Sequence, residues 1–244
     1  MKRNYLILGT GNVAWHLAHA LKDADTAIWG RDAAEAQRLA EEVGIDWLAS
    51  IEGQDNAQTT IFYALNDDAV GVLSKALQLK NATEVHLSGS LPLKALSAPK
   101  RMVMWPVCSL VKGAAVDMQR VPWVVQGDWV DHLPPFSLVE VNDDQARAKY
   151  HLAAVVLNNF VHHLGVLTKD MLGKVPRDLF DVLLQQTINN MFLDNDLDKQ
   201  TGPARRGDVS TIHRHLHLLE NHPALRDVYQ QFSSQIAQRY EHEL

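Results

Sequence analysis

Several things are scarce in this sequence, and each scarcity excludes something. Cysteine occurs once, at Cys108, so neither an intramolecular disulfide nor a cysteine cage for a metal can form. A cytoplasmic location is expected on the same ground. No apolar run reaches the length of a membrane span, so no membrane partner is expected. The opening MKRNYLILGTGNVAWHL starts like a leader, but Gly9, Gly11 and Asn12 break its apolar stretch early. Charge of one sign is nowhere concentrated: 23 Lys and Arg stand against 29 Asp and Glu, a net charge of -6. That argues against a nucleic-acid partner and leaves room for a local basic site that takes a small anion. What is present is ordinary: 244 residues, 46% hydrophobic and 21% charged, enough for two modest domains or one large one.

The N-terminus is more specific. YLILG has β character, and TGNVAWHLAHALKDA carries Val13, Leu17, Ala20 and Leu21 at helical spacing. Between them lies GTGNVA, a Gly-x-Gly-x-x-Ala turn in the strand–turn–helix context of a dinucleotide site. Gly9 permits the tight turn, Gly11 lets a pyrophosphate approach the backbone, and Ala14 allows close packing of helix on strand. The helix start, with Thr10, Asn12 and Val13, offers amides and a positive dipole end to the phosphates. A tight structural turn is the alternative. The next strand, TAIWG, ends in Trp29, Gly30 and Arg31 where a binder of NAD usually places an acid. An arginine there can pair with a 2′-phosphate, which favours NADP over NAD. The alternative is a solvated surface arginine.

Strand and helix signals keep alternating. TTIFYAL, EVHLSG, KRMVMWPV, VPWVVQG and FSLVEV read as strands, and NDDAVGVLSKAL as a helix with Asp67 or Asp68 as its cap. Repeated β-α units imply a mainly parallel sheet covered on both faces, with ligands beyond the carboxyl ends of its strands. Three places lie there: Ala64, Leu65, Asn66 and Asp67; His86 to Ser90; and Trp105 to Ser109. Ala64, Leu65 and Asn66 are cofactor-contact candidates, and Ser88 and Ser90 candidates for nicotinamide or substrate, unless the serines only shape the turn.

After EVNDDQ the period changes. ARAKYHLAAVVLNNFVHHLGVLTKDML reads as one long helix with Asp143 or Asp144 near its cap, apolar on almost every side and therefore expected to be buried. Projected at about 100° per residue, His151, Val155, Asn158, His162 and Gly165 share a face. Polar groups in a buried stripe need partners, either neighbouring helices or a ligand. FDVLLQQTINNMFLDN reads as a second buried helix. QTGPARRGD then interrupts the helical pattern. Asp208 is a good N-cap for VSTIHRHLHLLENH, with Val209, Ile212, Leu216 and Leu219 as its apolar seam and His215 on the seam's edge. Arg206 and Gly207 lead into that helix start, a suitable corner for a carboxylate. The alternative is a cap beside arginines that pair with surface acids. His213, His215 and His217 diverge on a helix, so no metal site is expected.

LILGTGNVAWHLAHAL, LNDDAV, HLSGS, KYHLAAVVLNNF, TGPARRGD and HRHLHLLENHP occur in this order across nearly the whole chain. Together they resemble Rossmann-like and DUF2520 domain proteins, described as NADP or coenzyme F420-dependent oxidoreductases. These are similar to pyrroline-5-carboxylate reductase and to the 6-phosphogluconate and β-hydroxyacid dehydrogenases. The resemblance implies an α/β chain: an NADP-binding Rossmann domain over 1–142, then an all-α domain over 143–244 like the C-terminal domain of 6-phosphogluconate dehydrogenase. It further implies a homodimer, and a TGPARRGD turn that faces an interdomain cleft. One departure matters. β-Hydroxyacid dehydrogenases place a catalytic Lys four residues before an Asn on the first helix after the Rossmann domain. Here those positions hold Ala154 and Val155. His151 is the nearest titratable group on the Asn158 face, and its ordinary pKa near neutrality suits a proton donor.

Two functions follow as expectations. One is an NADP-dependent oxidoreductase of a small, carboxylated carbonyl or imine substrate, with His151 and Asn158 at the reacting group and Ser88, Ser90, Arg206, Asp208 and His215 around the substrate. NAD or F420 rank behind NADP as cofactor. The other is a binding or sensing module that holds NADP(H) without turnover.

Overall fold

A computed structural model describes residues 4–128, 136–176, 178–193 and 199–242. The chain divides into two compact units, Met1–Val156 and Leu157–Leu244.

The first unit is built on one eight-stranded sheet of order β3-β2-β1-β4-β5-β6-β7-β8. Its strands are β1 (Tyr5–Leu8), β2 (Thr26–Trp29), β3 (Asp46–Trp47), β4 (Thr60–Tyr63), β5 (Thr83–His86), β6 (Arg101–Pro106), β7 (Pro122–Gly127) and β8 (Ser137–Glu140). All neighbours pair in parallel except β6 and β7. The central strands β1, β4 and β5 are buried along their whole length, as strands covered on both faces are, and β1 and β4 are mainly apolar. Helices α1 (Asn12–Ala20), α2 (Ala33–Val43) and α3 (Asp67–Leu77) connect them. The two apolar clusters contain alternate β1 residues, Tyr5 and Ile7 in one, Leu6 and Leu8 in the other, which is the period of two expected of a strand. This is the Rossmann-type α/β architecture, followed by an all-helical part.

Asp143 caps α4 (Asp144–Ala154), accepting from the Ala146 amide at 2.7 Å. The cap of α3 departs from expectation. Asn66 occupies it, without a side-chain bond, and Asp67 and Asp68 stand in the first turn. The long helix is also not uniform. A π-helical segment, Val155–Phe160, separates α4 from α5 (Val161–Leu172). In the second unit follow α6 (Asp181–Asn190), α7 (Val209–Leu218) and α8 (Pro223–Arg239). The expectation that the long helix and α6 are buried is overturned for the single chain. Leu157, Phe160, Val161, Val182, Leu183, Leu184 and Ile188 are all exposed, Val182 at 73%. Their apolar pattern calls for a covering surface that the chain's own described residues do not supply.

Candidate functional site

Six strands run in parallel, β3-β2-β1-β4-β5-β6, so their carboxyl ends lie along one edge of the sheet. The GTGNVA turn starts there. Gly9 has φ +120, and a Cβ on it would stand 2.2 Å from the Ala64 carbonyl oxygen. Only glycine lets the turn pass so close to the end of β4. Leu65 is the other neighbour, its Cδ2 at 3.2 Å from that Cβ position. Gly11 differs: a Cβ there meets nothing within 4 Å. It is the N-cap of α1, no side chain caps the helix, and no acid stands in the first turn. An uncapped helix start beside open space fits a pyrophosphate, whose oxygens would take the free amides.

The surrounding candidates have more local duties. The Thr10 hydroxyl donates to Glu35 at 3.0 Å. Asn12 Oδ1 accepts from the Lys112 amide at 3.1 Å, and one turn on, buried His16 Nε2 meets the Val111 carbonyl at 3.0 Å. These two bonds fasten the segment after β6 across the first turns of α1. Val13 packs against the core. At the end of β2, Gly30 admits Thr10 and Ala36, whose carbons lie 2.9 and 3.2 Å from its Cβ position. Arg31 is exposed, with no ion pair or hydrogen bond among the described residues. Asp32 caps α2 through the Glu35 amide.

At the end of β5 the two serines converge on one acceptor. Ser88 and Ser90 donate their hydroxyls to Asp67 Oδ2 at 2.9 and 3.1 Å. Ser88 Oγ also accepts from the Ser90 and Leu91 amides, so its hydrogen-bonding capacity is spent within the turn. The sequence signal for Asp67 was only that of a helix-start acid. Below the turn, His86 is fully buried, and its Nδ1 accepts from the Ser88 amide at 3.3 Å. Burial above all, then the Arg147 charge, lowers its pKa to about 4, so the ring is neutral at neutral pH.

His151 stands over the same turn. A Cβ on Gly89 would lie 2.4 Å from His151 Cδ2 and 2.9 Å from Trp105 Cδ2. The His151 ring meets Trp105 edge-on, centroids 5.2 Å apart. Thus β5, β6 and α4 bring His151, Ser88, Ser90 and Trp105 together. The missing side chain at Gly89 is the signal that would have found the contact.

The second unit holds the other candidates. Asn158 sits in the π segment, exposed, bonded to Asn159 at 3.1 Å. The π turn breaks the about 100° phase of an α-helix, so the stripe drawn through His162 and Gly165 is not one face. His162 is exposed as well. Asp208 caps α7, accepting from the Thr211 amide and the Ser210 hydroxyl, each at 3.0 Å, and the Thr211 side chain first, then these bonds, lower its pKa. Gly207, at φ +64, carries the chain into that cap. Arg205 donates to the Gln200 carbonyl at 2.7 Å and lies over the Tyr240 ring. Arg206 is exposed, and its side chain has no bonded partner among the described residues. His215 Nδ1 bonds the Tyr229 hydroxyl at 2.8 Å, and His217 Nδ1 bonds Glu220. No described helix is long and apolar enough to cross a membrane.

Comparison with known proteins follows the same lines. Residues 137–236 match the family described as "Domain of unknown function (DUF2520)". No curated protein matches the chain. Among solved structures, the chain is similar to a candidate NADP oxidoreductase from Bacteroides fragilis, at 25% identity and TM-score 0.79, over 98% of this chain and 99% of that one. It is similar in fold to a reductive aminase from Aspergillus terreus in complex with NADPH and ethyl levulinate, at 16% identity and TM-score 0.71, over 99% and 94%. An imine reductase from Streptomyces aurantiacus aligns at 16% identity and TM-score 0.66, over 96% and 95%.

Proposed function

We propose that this chain, a Rossmann-type protein carrying a DUF2520 domain over residues 137–236, is an NADP(H)-dependent oxidoreductase of a small, carboxylated carbonyl or imine substrate. The observation that carries the reading is a juxtaposition on one sheet edge. The uncapped start of α1 with its open Gly11, and the His151 ring over the Ser88–Ser90 turn, both lie beyond the carboxyl ends of the parallel strands. The NADPH and imine chemistry of the structural neighbours supports it.

In this reading the amides of Asn12 and Val13 hold the pyrophosphate, and Arg31, free of other partners among the described residues, takes the 2′-phosphate. Ala64, Leu65 and Asn66 flank the nicotinamide. The cofactor supplies or removes hydride. His151 holds the proton that the carbonyl oxygen or imine nitrogen needs, and Asn158 orients that group. Ser88 and Ser90, tied to Asp67, shape the wall of the site. Arg206 receives the carboxylate, with Asp208 and His215 holding its turn through the α7 cap and Tyr229. Residues 143–244 form the substrate and dimerisation domain, and the exposed apolar side chains of the π segment, α5 and α6 support a homodimer.

The test is a fluorescence titration with NADPH and NADH, followed by assays of NADPH oxidation with cyclic imines and 2-oxo acids. Arg31→Ala is expected to lose about 1.5–3 kcal/mol of NADPH binding, the worth of hydrogen bonds to a charged group, and to leave NADH binding unchanged. NADPH binding without turnover on any such substrate points instead to the sensing module. Failure to bind either nucleotide removes the cofactor assignment.

A further inference from the structure

Arg147 is fully buried, an unfavourable place for a guanidinium, and its two terminal nitrogens are bonded while its Nε meets no partner among the described residues. It lies in the first turn of α4 and reaches three separate segments. One terminal nitrogen donates to Gln126 on β7. The other donates to the Leu91 carbonyl, just past the Ser88–Ser90 turn, and to Asp144 at 2.9 Å. Asp144 in turn accepts from the Leu93 amide at 3.0 Å. Strand β7, the segment after β5 and the start of α4 are thereby fastened through one side chain. An apolar residue of equal volume would fill the space but could not supply directional bonds to three segments.

One helical turn further, on the same face, stands His151. Its ring touches Gly89 and Trp105, yet it has no hydrogen bond of its own among the described residues. Nothing polar among the described residues holds the ring in place. Its position therefore depends on where α4 lies along and around its own axis, and that is what the Arg147 bonds determine.

We propose that Arg147 is a positioning residue whose clamp holds the His151 ring against the Ser88–Ser90 turn. Its catalytic consequence rests on the reading of His151 as the proton-transfer group. The placement itself does not.

The test uses the full chain with ¹³C-labelled histidine, His151→Gln serving to assign the His151 ring signal. Trp105, edge-on to the ring, gives that signal a ring-current shift. Arg147→Lys keeps the charge and loses the fork. In this variant the His151 signal is expected to move toward that of free histidine. The turnover number for NADPH-dependent reduction is expected to fall about tenfold or more, as for a misplaced catalytic group, with the KM for NADPH unchanged. A folded Arg147→Lys protein whose His151 signal stays in place overturns the proposal. Should that variant not fold, Asp144→Asn decides. It keeps an acceptor for Leu93 but removes the charge facing Arg147, and the same displacement is expected. An unmoved signal there also overturns the clamp. If His151→Gln is fully active, the proton-transfer reading fails while the histidine spectrum still decides the clamp.

Discussion

Gly9 and Gly11 sit two positions apart in the turn after β1, yet alanine is expected to act on them in opposite ways. At Gly9 the new Cβ would lie 2.2 Å from the Ala64 carbonyl oxygen and 3.0 Å from its carbon, at φ +120. The backbone strain alone is about 1–3 kcal/mol. Relieving the overlap requires β4 or the turn to move, a further about 1–3 kcal/mol. Together these remove about 2–6 kcal/mol from a domain whose total stability is of order 5–15 kcal/mol. At Gly11 φ is −76, and nothing lies within 4 Å of the added methyl. There the folded protein loses only the small preference of a cap position for glycine over alanine, about 0.5–1 kcal/mol. The methyl instead enters the space assigned to the pyrophosphate. Losing one charge-assisted bond there is worth about 1.5–3 kcal/mol, or about 10- to 150-fold in NADPH affinity. Urea unfolding and nicotinamide fluorescence, run on both variants, separate the two effects. If Gly11→Ala binds NADPH as the parent does, the turn is scaffold and the cofactor assignment loses its main support.

Three further outcomes are expected. His86 has a folded pKa of about 4 against an ordinary 6.5. As pH falls through that window the unfolded chain binds a proton that the folded one refuses, and about 3 kcal/mol of stability is lost. His86→Asn, which keeps an acceptor for the Ser88 amide, should flatten the urea midpoint between pH 7 and pH 4, and an equally steep profile would refute the assignment. Glu84 is fully buried and accepts from Tyr63, Ser74 and the amides of Ser97 and Ala98. Glu84→Gln turns one acceptor into a donor and is expected to destabilise by about 1–3 kcal/mol, whereas an unchanged urea midpoint would contradict the network. Gly89→Ala places a methyl 2.4 Å from His151 Cδ2, so turnover should fall with NADPH affinity intact. Full activity in that variant would show that the ring need not sit there.

Most of the first unit was legible because its signals are local. Alternating apolar runs and turn residues mark β1, β2 and β4 to β8, and the two-residue β3 is too short to carry a period. Capping chemistry was legible where a side chain does the work, at Asp143 and Asp208, and failed at Asn66, which caps through its backbone alone. The exposure of α5 and α6 was not legible for a different reason. An apolar face states that something must cover it, not whether the cover belongs to the same chain. The placing of Gly9, Gly11, Ser88 and Ser90 beyond the carboxyl ends of the strands was legible because that edge of a parallel sheet can be inferred from strand order, whereas the His151 contact with Gly89 comes from α4 and was not. What lies beneath the edge was not legible either. Glu84 and Arg147 resemble solvated charges in sequence, and only tertiary contacts show them withdrawn from water. The one hint at Glu84 was an acid beside Val85 within a strand signal, EVHLSG.

The π segment has a consequence for how this chain tolerates changes in length. A π turn accommodates one residue more than an α-helix uses for the same turn. Val155–Phe160 thus behaves as a stored insertion. Deleting one residue inside it, such as Leu157, should collapse the wide turn into an ordinary one and leave the side-chain phase of α5 as it is. The same deletion in the regular turns of α5, at Leu164, has no surplus to absorb it and would turn every later side chain of that helix by about 100°. Indel tolerance along this helix is therefore expected to peak in the turn that carries Asn158, so a residue proposed for the site stands where the chain can most readily gain or lose length.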